Sequence, residues 1–360
     1  MLSYHFVLSA SLFSKQREMA EAKDIIKTWG GRIFGKLIRN SPLRADIRII
    51  LTYHHVVKRL PQGICDRALF VEASTFEMHM RELGQFCEMV PLEAMRGRFE
   101  RGGRRLCAVT FDDGWLDIYE TAVPILQKYQ IPATVFLPVA MIGTTRWFWF
   151  ESLMNLARLT RKNGRGHSFV NYFRRTVPRW AKPGLSVEAL LTLTSELKCF
   201  PANELDPLIL GAYRELGEKF PRRKIVLGWQ EVTELGESGV SFGSHGLNHY
   251  ILPMVNTHIK KEEIFQSMQI LKNKGVSTVP YFSYPNGDWD DETLEMLSEA
   301  GYKGALTTRL GNNSSKTPPF LLNRVSMHED ISRTPGLFWF RIFQAILAGA
   351  GIRTTAAIAS

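Results

Sequence analysis

Leu106-Cys107-Ala108-Val109-Thr110-Phe111-Asp112-Asp113-Gly114 is a short apolar run that stops abruptly at two carboxylates and a glycine. Its length and β-branched content read as a buried strand, and Asp-Asp-Gly reads as the turn at that strand's end. Similar runs flank it at 47–53 (IRIILTY), 132–137 (PATVFL), 240–242, 281–284 and 304–307. Helical patterns fall between them. One begins at Ser74 as N-cap, with Phe76, Met80 and Leu83 on one face. Others cover 118–129, 258–274 ended by Gly275, and 291–300 ended by Gly301. Strands alternating with helices predict a largely parallel sheet, open or closed into a barrel.

The whole chain has 360 residues, 45% of them hydrophobic and 22% charged, with 45 Lys+Arg against 35 Asp+Glu and a formal net charge of +10. That composition excludes a disordered or low-complexity protein, and the length suffices for a sizeable core without covalent staples. The strand–helix rhythm stops at Thr144 and resumes near Leu227, so the expected organisation has five parts. These are an amphipathic helical segment (1–46), a first barrel part (47–143), a basic helical insertion (144–228), a second barrel part (229–330) and an apolar C-terminal helix with its tail (331–360). Cys65, Cys87, Cys107 and Cys199 are dispersed and form no C-x-x-C pair, which predicts neither a disulfide scaffold nor a thiolate zinc site. The first residues carry no early Lys or Arg and lead to no small-residue cleavage site, and no apolar stretch reaches 18 residues. A cytoplasmic protein follows as the expectation, with peripheral contact on the inner membrane face. Residues 21–40 place Ile25, Ile26, Trp29, Ile33, Leu37 and Ile38 at helical spacing among five basic residues, a pattern equally suited to docking on the domain or lying on anionic lipid. Docking is the expectation for the apolar segment 337–347.

Four clusters at strand ends carry chemistry. Adjacent carboxylates such as Asp112 and Asp113 repel each other unless a cation or proton separates their roles, although a solvated turn is the simpler reading of the pair alone. Ser244-His245-Gly246-Leu247-Asn248-His249 places two histidines four apart, which in a helical turn lets both imidazoles reach one cation. Joined to Asp113, they make an Asp-His-His set with room for water. Tyr284-Pro285-Asn286-Gly287 is a tight turn able to aim a backbone N–H into a pocket, and Tyr53-His54-His55 offers a general acid or a core histidine.

The ordered set T-F-D-D-G, P-A-T-V-F-L, S-H-x-x-x-H and Y-P-x-G resembles the polysaccharide deacetylases of the NodB-homology type, carbohydrate esterase family 4, over residues 47–326 less the insertion. The resemblance implies a distorted (β/α) barrel and metal-dependent removal of N-acetyl groups from an amino sugar. It further implies Asp112 as general base, Asp113, His245 and His249 as metal ligands, and the Asn286 N–H as oxyanion donor, with Tyr284 and Pro285 against the substrate. Zinc is the default metal for that set, and cobalt or nickel also suit it. Two departures stand out. Ser283 occupies the place where many members carry an arginine that orients the base. The late histidine motif is also poor here at Val325-Ser326-Met327-His328. The early L-x-Y-H stretch instead resembles the circularly permuted branch that includes biofilm poly-N-acetylglucosamine deacetylases. That implies His54 as the acid, then His55, then His328.

The partner expected is therefore an N-acetylated glycan. A lipid-linked sugar processed by a deformylase or deacetylase at the membrane face, and a non-catalytic glycan-binding relative, are the rival readings. Trp147-Phe148-Trp149-Phe150 could stack on sugar, seat a lipid or build the insertion's own core. No nucleic-acid reading module is present in the sequence. Residues 14–48 carry +5 and residues 144–228 carry +8 of the formal +10, which leaves −3 on the rest of the chain. The basicity is thus localised, and the catalytic barrel is slightly acidic.

Overall fold

The computed structural model describes residues 24–37, 46–63, 65–96, 105–180 and 184–350. Helix α1 covers 24–37. It is followed by β1 (Ile47–Tyr53), the short parallel pair β2 (His55–Val57) and β3 (Phe70–Glu72), α2 (Ala73–Gly84), β4 (Glu88–Met89) and β5 (Arg105–Phe111). A π turn at Ile118–Ala122 runs into α3 (Val123–Lys128), then β6 (Ala133–Leu137). Four helices occupy the segment 144–228 expected as an insertion: α4 (Trp149–Lys162), α5 (Gly166–Thr176), α6 (Val187–Leu197) and α7 (Ala202–Glu215). The barrel resumes with α8 (Trp229–Glu237), β7 (Val240–Ser244), α9 (Thr257–Asn273), β8 (Thr278–Ser283), α10 (Asp291–Glu299), β9 (Gly304–Leu310) and β10 (Leu322–Ser326). The described chain closes with α11 (Glu329–Ser332) and α12 (Pro335–Gly349).

Strands β1, β5, β6, β7, β8, β9 and β10 form a closed parallel barrel of seven strands, because β1 pairs with β10 on one side and β5 on the other. The protein thus has the distorted (β/α) barrel expected. The β1–β5 ladder runs the full strand length, from Ile47 opposite Arg105 to Tyr53 opposite Phe111. All seven C-terminal ends therefore share one rim, and the residues that follow them in sequence become neighbours in space. Aliphatic and aromatic side chains of these strands pack with the surrounding helices into the main core. The insertion builds a separate apolar cluster around Leu153, Phe169, Trp180, Leu190 and Tyr213.

Three local expectations are corrected. Ser74 is not the cap of α2: the N-cap is Glu72, and Ser74 lies one residue inside the helix. The start of α2 is held instead from α11, where Glu329 accepts from the Glu72 N–H and the Thr75 hydroxyl, each at 2.9 Å. Cys87 and Cys107 are joined by a disulfide with Cα atoms 6.0 Å apart, since β4 lays the end of the α2 hairpin beside β5. Sequence spacing alone hides that proximity. The third concerns α12, which docks as expected through Leu337, Phe338, Trp339 and Ile342 but extends further, from Pro335 to Gly349, with Thr334 capping its N-terminus. The described part of the N-terminal segment also docks, on α12, while residues 21–23 and 38–40 lie outside the described residues, as does the tail beyond 350.

His79 of α2 is wholly buried between β1 and α12. Its Nδ1 lies 3.0 Å from the Tyr53 hydroxyl, its Nε2 lies 2.8 Å from the Ser332 carbonyl oxygen, and its ring stacks on Phe338. Burial pushes its pKa from 6.5 down to about 4. The unfolded chain therefore takes up a proton before the folded one does, and the stability of neutral His79, fully present above pH 6.5, is lost as pH falls toward 4. His79→Gln does not titrate, so its stability deficit relative to wild type should shrink by up to about 3 kcal/mol between pH 7 and pH 4 in denaturant unfolding. A constant deficit would contradict a neutral buried imidazole.

Candidate active site

The β1–β5 register sets Tyr53 opposite Phe111, so His54 and Asp112 leave their strands side by side, and the Asp112 N–H donates to the Tyr53 carbonyl at 3.0 Å. The chain then turns sharply. Asp113 adopts φ 70° and Gly114 φ 65°. Among the described residues only four other than glycine have positive φ, and three of them, Asp113, His249 and Asn286, lie at this rim. Such conformations persist only where the surroundings enforce them, and they concentrate at functional sites.

Asp113 is buried, and its Oδ2 accepts from Trp115 Nε1 at 3.0 Å. Its Oδ1 is buried with no hydrogen-bond partner, yet His245 Nε2 and His249 Nε2 stand 3.4 and 3.2 Å away. The three ligand atoms lie within 4.8 Å of one another. His245 Nδ1 sits 2.7 Å from the Ser283 carbonyl, which can only accept, so that nitrogen carries a proton and Nε2 is the ring nitrogen turned toward Asp113. An orphan carboxylate oxygen facing two imidazole nitrogens is the donor set of a divalent metal with an open position, and these residues fit one.

The two histidines do not share a helical turn, contrary to expectation. After β7 the chain runs as a loop, with Gly246 at φ 80° and His249 at φ 64°. Glu263 of α9 holds it by accepting from the N–H groups of Leu247 and Asn248 and from the Asn248 amide, at 2.8–3.0 Å. A Cβ on Gly246 would come within 2.7 Å of that carboxylate. The four-residue spacing brings both rings to one side, but a buried glutamate rather than helix geometry does the work.

Asp112 lies against the metal candidates and is held by a side chain the sequence reading missed. Arg324 of β10 donates bidentately, Nη1 to Oδ1 at 2.8 Å and Nη2 to Oδ2 at 2.7 Å, while Nε donates to the Thr307 carbonyl. The Ser283 hydroxyl adds a bond to Oδ2 at 3.2 Å. Burial pushes the Asp112 carboxyl up, but Arg324, with His245 and His54, outweighs it and keeps the pKa below the usual aspartate value. The arginine absent at Ser283 is therefore supplied from another strand. Its only sequence signal was a lone basic residue inside the apolar run Leu321-Leu322-Asn323-Arg324-Val325.

His54 is half-buried and lines the cavity together with Asp112, Asp113, His245 and His249. Burial pushes its pKa down, against the pull of the two aspartates. Neither His55 nor His328 is among the lining residues. His55 Nδ1 pairs with Asp117 at 2.5 Å, and its ring lies between Phe70 and Trp115; His328 sits at the start of α11. Asn286, at φ 60°, lines the cavity, and its side chain accepts from Lys198 Nζ at 2.6 Å and donates to Asp288. Tyr284 also lines it, but its hydroxyl is committed to the Phe320 carbonyl at 2.9 Å; Pro285 is buried at the start of the turn and is not part of the lining.

The opposite wall comes from the insertion. Trp149, Phe150, Glu151 and Met154 of α4, with Thr194 and Lys198 at α6, face the barrel rim across the cavity. Trp147 and Phe148 are buried, whereas Trp149 and Phe150 reach the cavity, so the aromatic run divides between core and site.

The family model described as polysaccharide deacetylase matches residues 100–187 and 203–305, more than half of the sequence. The chain belongs to the polysaccharide deacetylase family. It is accordingly a hydrolase, a carbohydrate deacetylase. The deacetylase is 23% identical over 287 residues to YxkH of Bacillus subtilis (strain 168), which is named for the same family, with 79% of this chain and 72% of that protein covered. Its fold is similar to that of Streptococcus pyogenes deacetylase PplD in complex with acetate (TM-score 0.54, 18% identity, 85% of this chain and 99% of that one). It is also similar to IcaB from Ammonifex degensii (TM-score 0.51, 20% identity, 84% of this chain and 100% of that one). His54, Lys198 and Arg324 all lie outside the residues matched by the family model.

Removing one partner of a fully buried, bidentate ion pair leaves a charge without compensation. Arg324→Met should therefore lower the unfolding free energy by roughly 3–5 kcal/mol, and adding Asp112→Asn should recover a large part of it. Denaturant titration followed by tryptophan fluorescence checks both; equal stability of Arg324→Met and wild type would refute the pairing.

Proposed function

We propose that this deacetylase removes N-acetyl groups from an amino-sugar glycan with the help of a divalent metal. The observation that carries the reading is the orphan Asp113 Oδ1 facing two imidazole nitrogens directly beside a buried, arginine-held Asp112. Asp113, His245 and His249 hold the metal, zinc being the default for one carboxylate and two imidazoles, with cobalt or nickel as substitutes. A metal held there would supply a bound water of lowered pKa and a Lewis acid for the acetamide carbonyl. Asp112, kept ionised by Arg324, is placed to take the proton from the attacking water. The Asn286 N–H, offered from a left-handed turn, donates to the developing oxyanion. His54 protonates the departing nitrogen, which leaves as an amine only once it carries that proton; a depressed pKa makes protonated His54 the stronger acid. A non-catalytic glycan-binding role has no use for an acid, a base and a metal set in one cavity.

The cavity that would receive the sugar is lined from both the barrel and the helical segment 144–228. Barrel loops bearing His54, Ile251 and Asn286 form one side, Leu69 another, and Trp149 and Lys198 of the insertion the third. The family match covers the α4 part of this wall but breaks off between residues 187 and 203, so only the α6 contribution of Thr194 and Lys198 lies outside the matched residues. As to location, the Cys87–Cys107 disulfide weighs against the cytoplasmic assignment expected from sequence, since such bonds persist mainly in oxidising compartments.

Acetate release from N-acetylated oligosaccharides, with metal stoichiometry measured in parallel, tests the reading. Asp112→Asn should lose about 10²–10⁴-fold in kcat while retaining metal, and His54→Gln a similar factor. His245→Ala should lose metal and activity together. His328→Gln should leave kcat within a few-fold of wild type. Stoichiometric metal with no acetate released from any glycan, soluble or lipid-linked, would sink the proposal.

A further inference from the structure

Helix α1 is built inside out with respect to water. Its inner face is made of Thr28, Gly31 and Gly35, which allow close approach to α12: a Cβ on Gly31 would overlap the Gly336 carbonyl, and one on Gly35 would come within 2.6 Å of the Trp339 ring. Phe34 packs on Phe343 with ring centroids 4.5 Å apart, and Arg333 ties down Asp24 at 2.7 Å. The large apolar residues point the other way. Ile25, Ile26, Trp29, Ile33 and Leu37 are 57–71% exposed, and they are five of the seven exposed large hydrophobics among the described residues. At 100° per residue they share one outward side about 120° wide, with exposed Arg32 and Lys36 along its Ile25 edge.

A helix recruited simply to cover the domain would turn its isoleucines inward. Contiguous exposed apolar surface of this kind marks a contact surface. Charge decides the occupant. The one acid of α1, Asp24, is already engaged by Arg333, and residues 14–48 carry +5 while the chain outside that stretch and the insertion carries −3. Two copies meeting through this face would bring together two surfaces whose exposed charges are basic, with the one acid of each α1 already engaged. An anionic bilayer instead receives the apolar stripe below its headgroups, with tryptophan at the interface and the basic rim against the phosphates. We propose that α1 is a monotopic anchor that holds this protein on an anionic lipid surface. The inference does not rest on the catalytic reading.

Co-sedimentation of the full-length protein with vesicles of phosphatidylcholine, with and without phosphatidylglycerol, tests it. Binding should require phosphatidylglycerol and weaken as salt rises and the Debye length shortens. Ile26→Ser/Trp29→Ser/Ile33→Ser, all solvent-facing changes, should abolish binding with an unchanged thermal midpoint. Arg32→Gln/Lys36→Gln should weaken it by about five-fold per charge. Failure of wild type to bind, or equal binding by the triple variant, would overturn the proposal. So would a dimer in sedimentation velocity that the triple variant dissolves, which would assign the face to a second copy.

Discussion

Inside the barrel, Arg324 of β10 bonds Thr307 of β9 and Thr52 of β1 and clasps Asp112 at the end of β5, and so joins four strands through one guanidinium. Both groups are buried to within a few per cent. Two charges so placed are tolerable only when each satisfies the other, which couples closure of the sheet to the ionisation of a carboxylate at its rim. The barrel could close around an apolar interior at lower electrostatic cost. That it closes around this pair means the geometry that completes the fold is also the geometry that fixes Asp112 beside the Asp-His-His cluster.

A second layer of constraint surrounds that pair. Glu263 organises the His245–His249 loop through four hydrogen bonds, the Ser283 carbonyl fixes the His245 tautomer, and Trp115 holds the far oxygen of Asp113. Each leaves one donor or acceptor of the ligand set aimed at a common point. Strained backbone at Asp113, His249 and Asn286 is retained because these outer contacts over-determine it. Above them the insertion closes the cavity, and the Lys198–Asn286 bond links α6 directly to the turn that follows β8.

Legibility of the sequence follows the range of the interaction. Strands β1, β5 and β6 were readable within a residue or so because buried β-branched runs announce themselves locally. The Asp112–Asp113, His245–His249 and Asn286 clusters were readable because each lies at the end of such a run. Where the controlling partner was distant, local reading failed. Ser74 resembled a cap, but Glu329 from 254 residues away holds the Thr75 hydroxyl. Two histidines four apart resembled a helical turn, but Glu263 shaped a loop. Dispersed cysteines suggested no pairing pattern, but β4 beside β5 joined Cys87 to Cys107.

By itself, then, the sequence determined the largely parallel α/β sheet, the strand ends on which its chemistry collects and the identity of the metal-binding candidates, because strand periodicity and short motifs are encoded within a few residues; closure into a barrel followed only from the family resemblance. Only the tertiary structure decided that Arg324 holds Asp112, that His54 rather than His55 or His328 faces the cavity, that helices of the segment 144–228 wall it, and that α1 turns its apolar face outward. Those outcomes depend on which strand ends become neighbours once the barrel closes and on which helix face finds a partner, and no local pattern of residues carries that information.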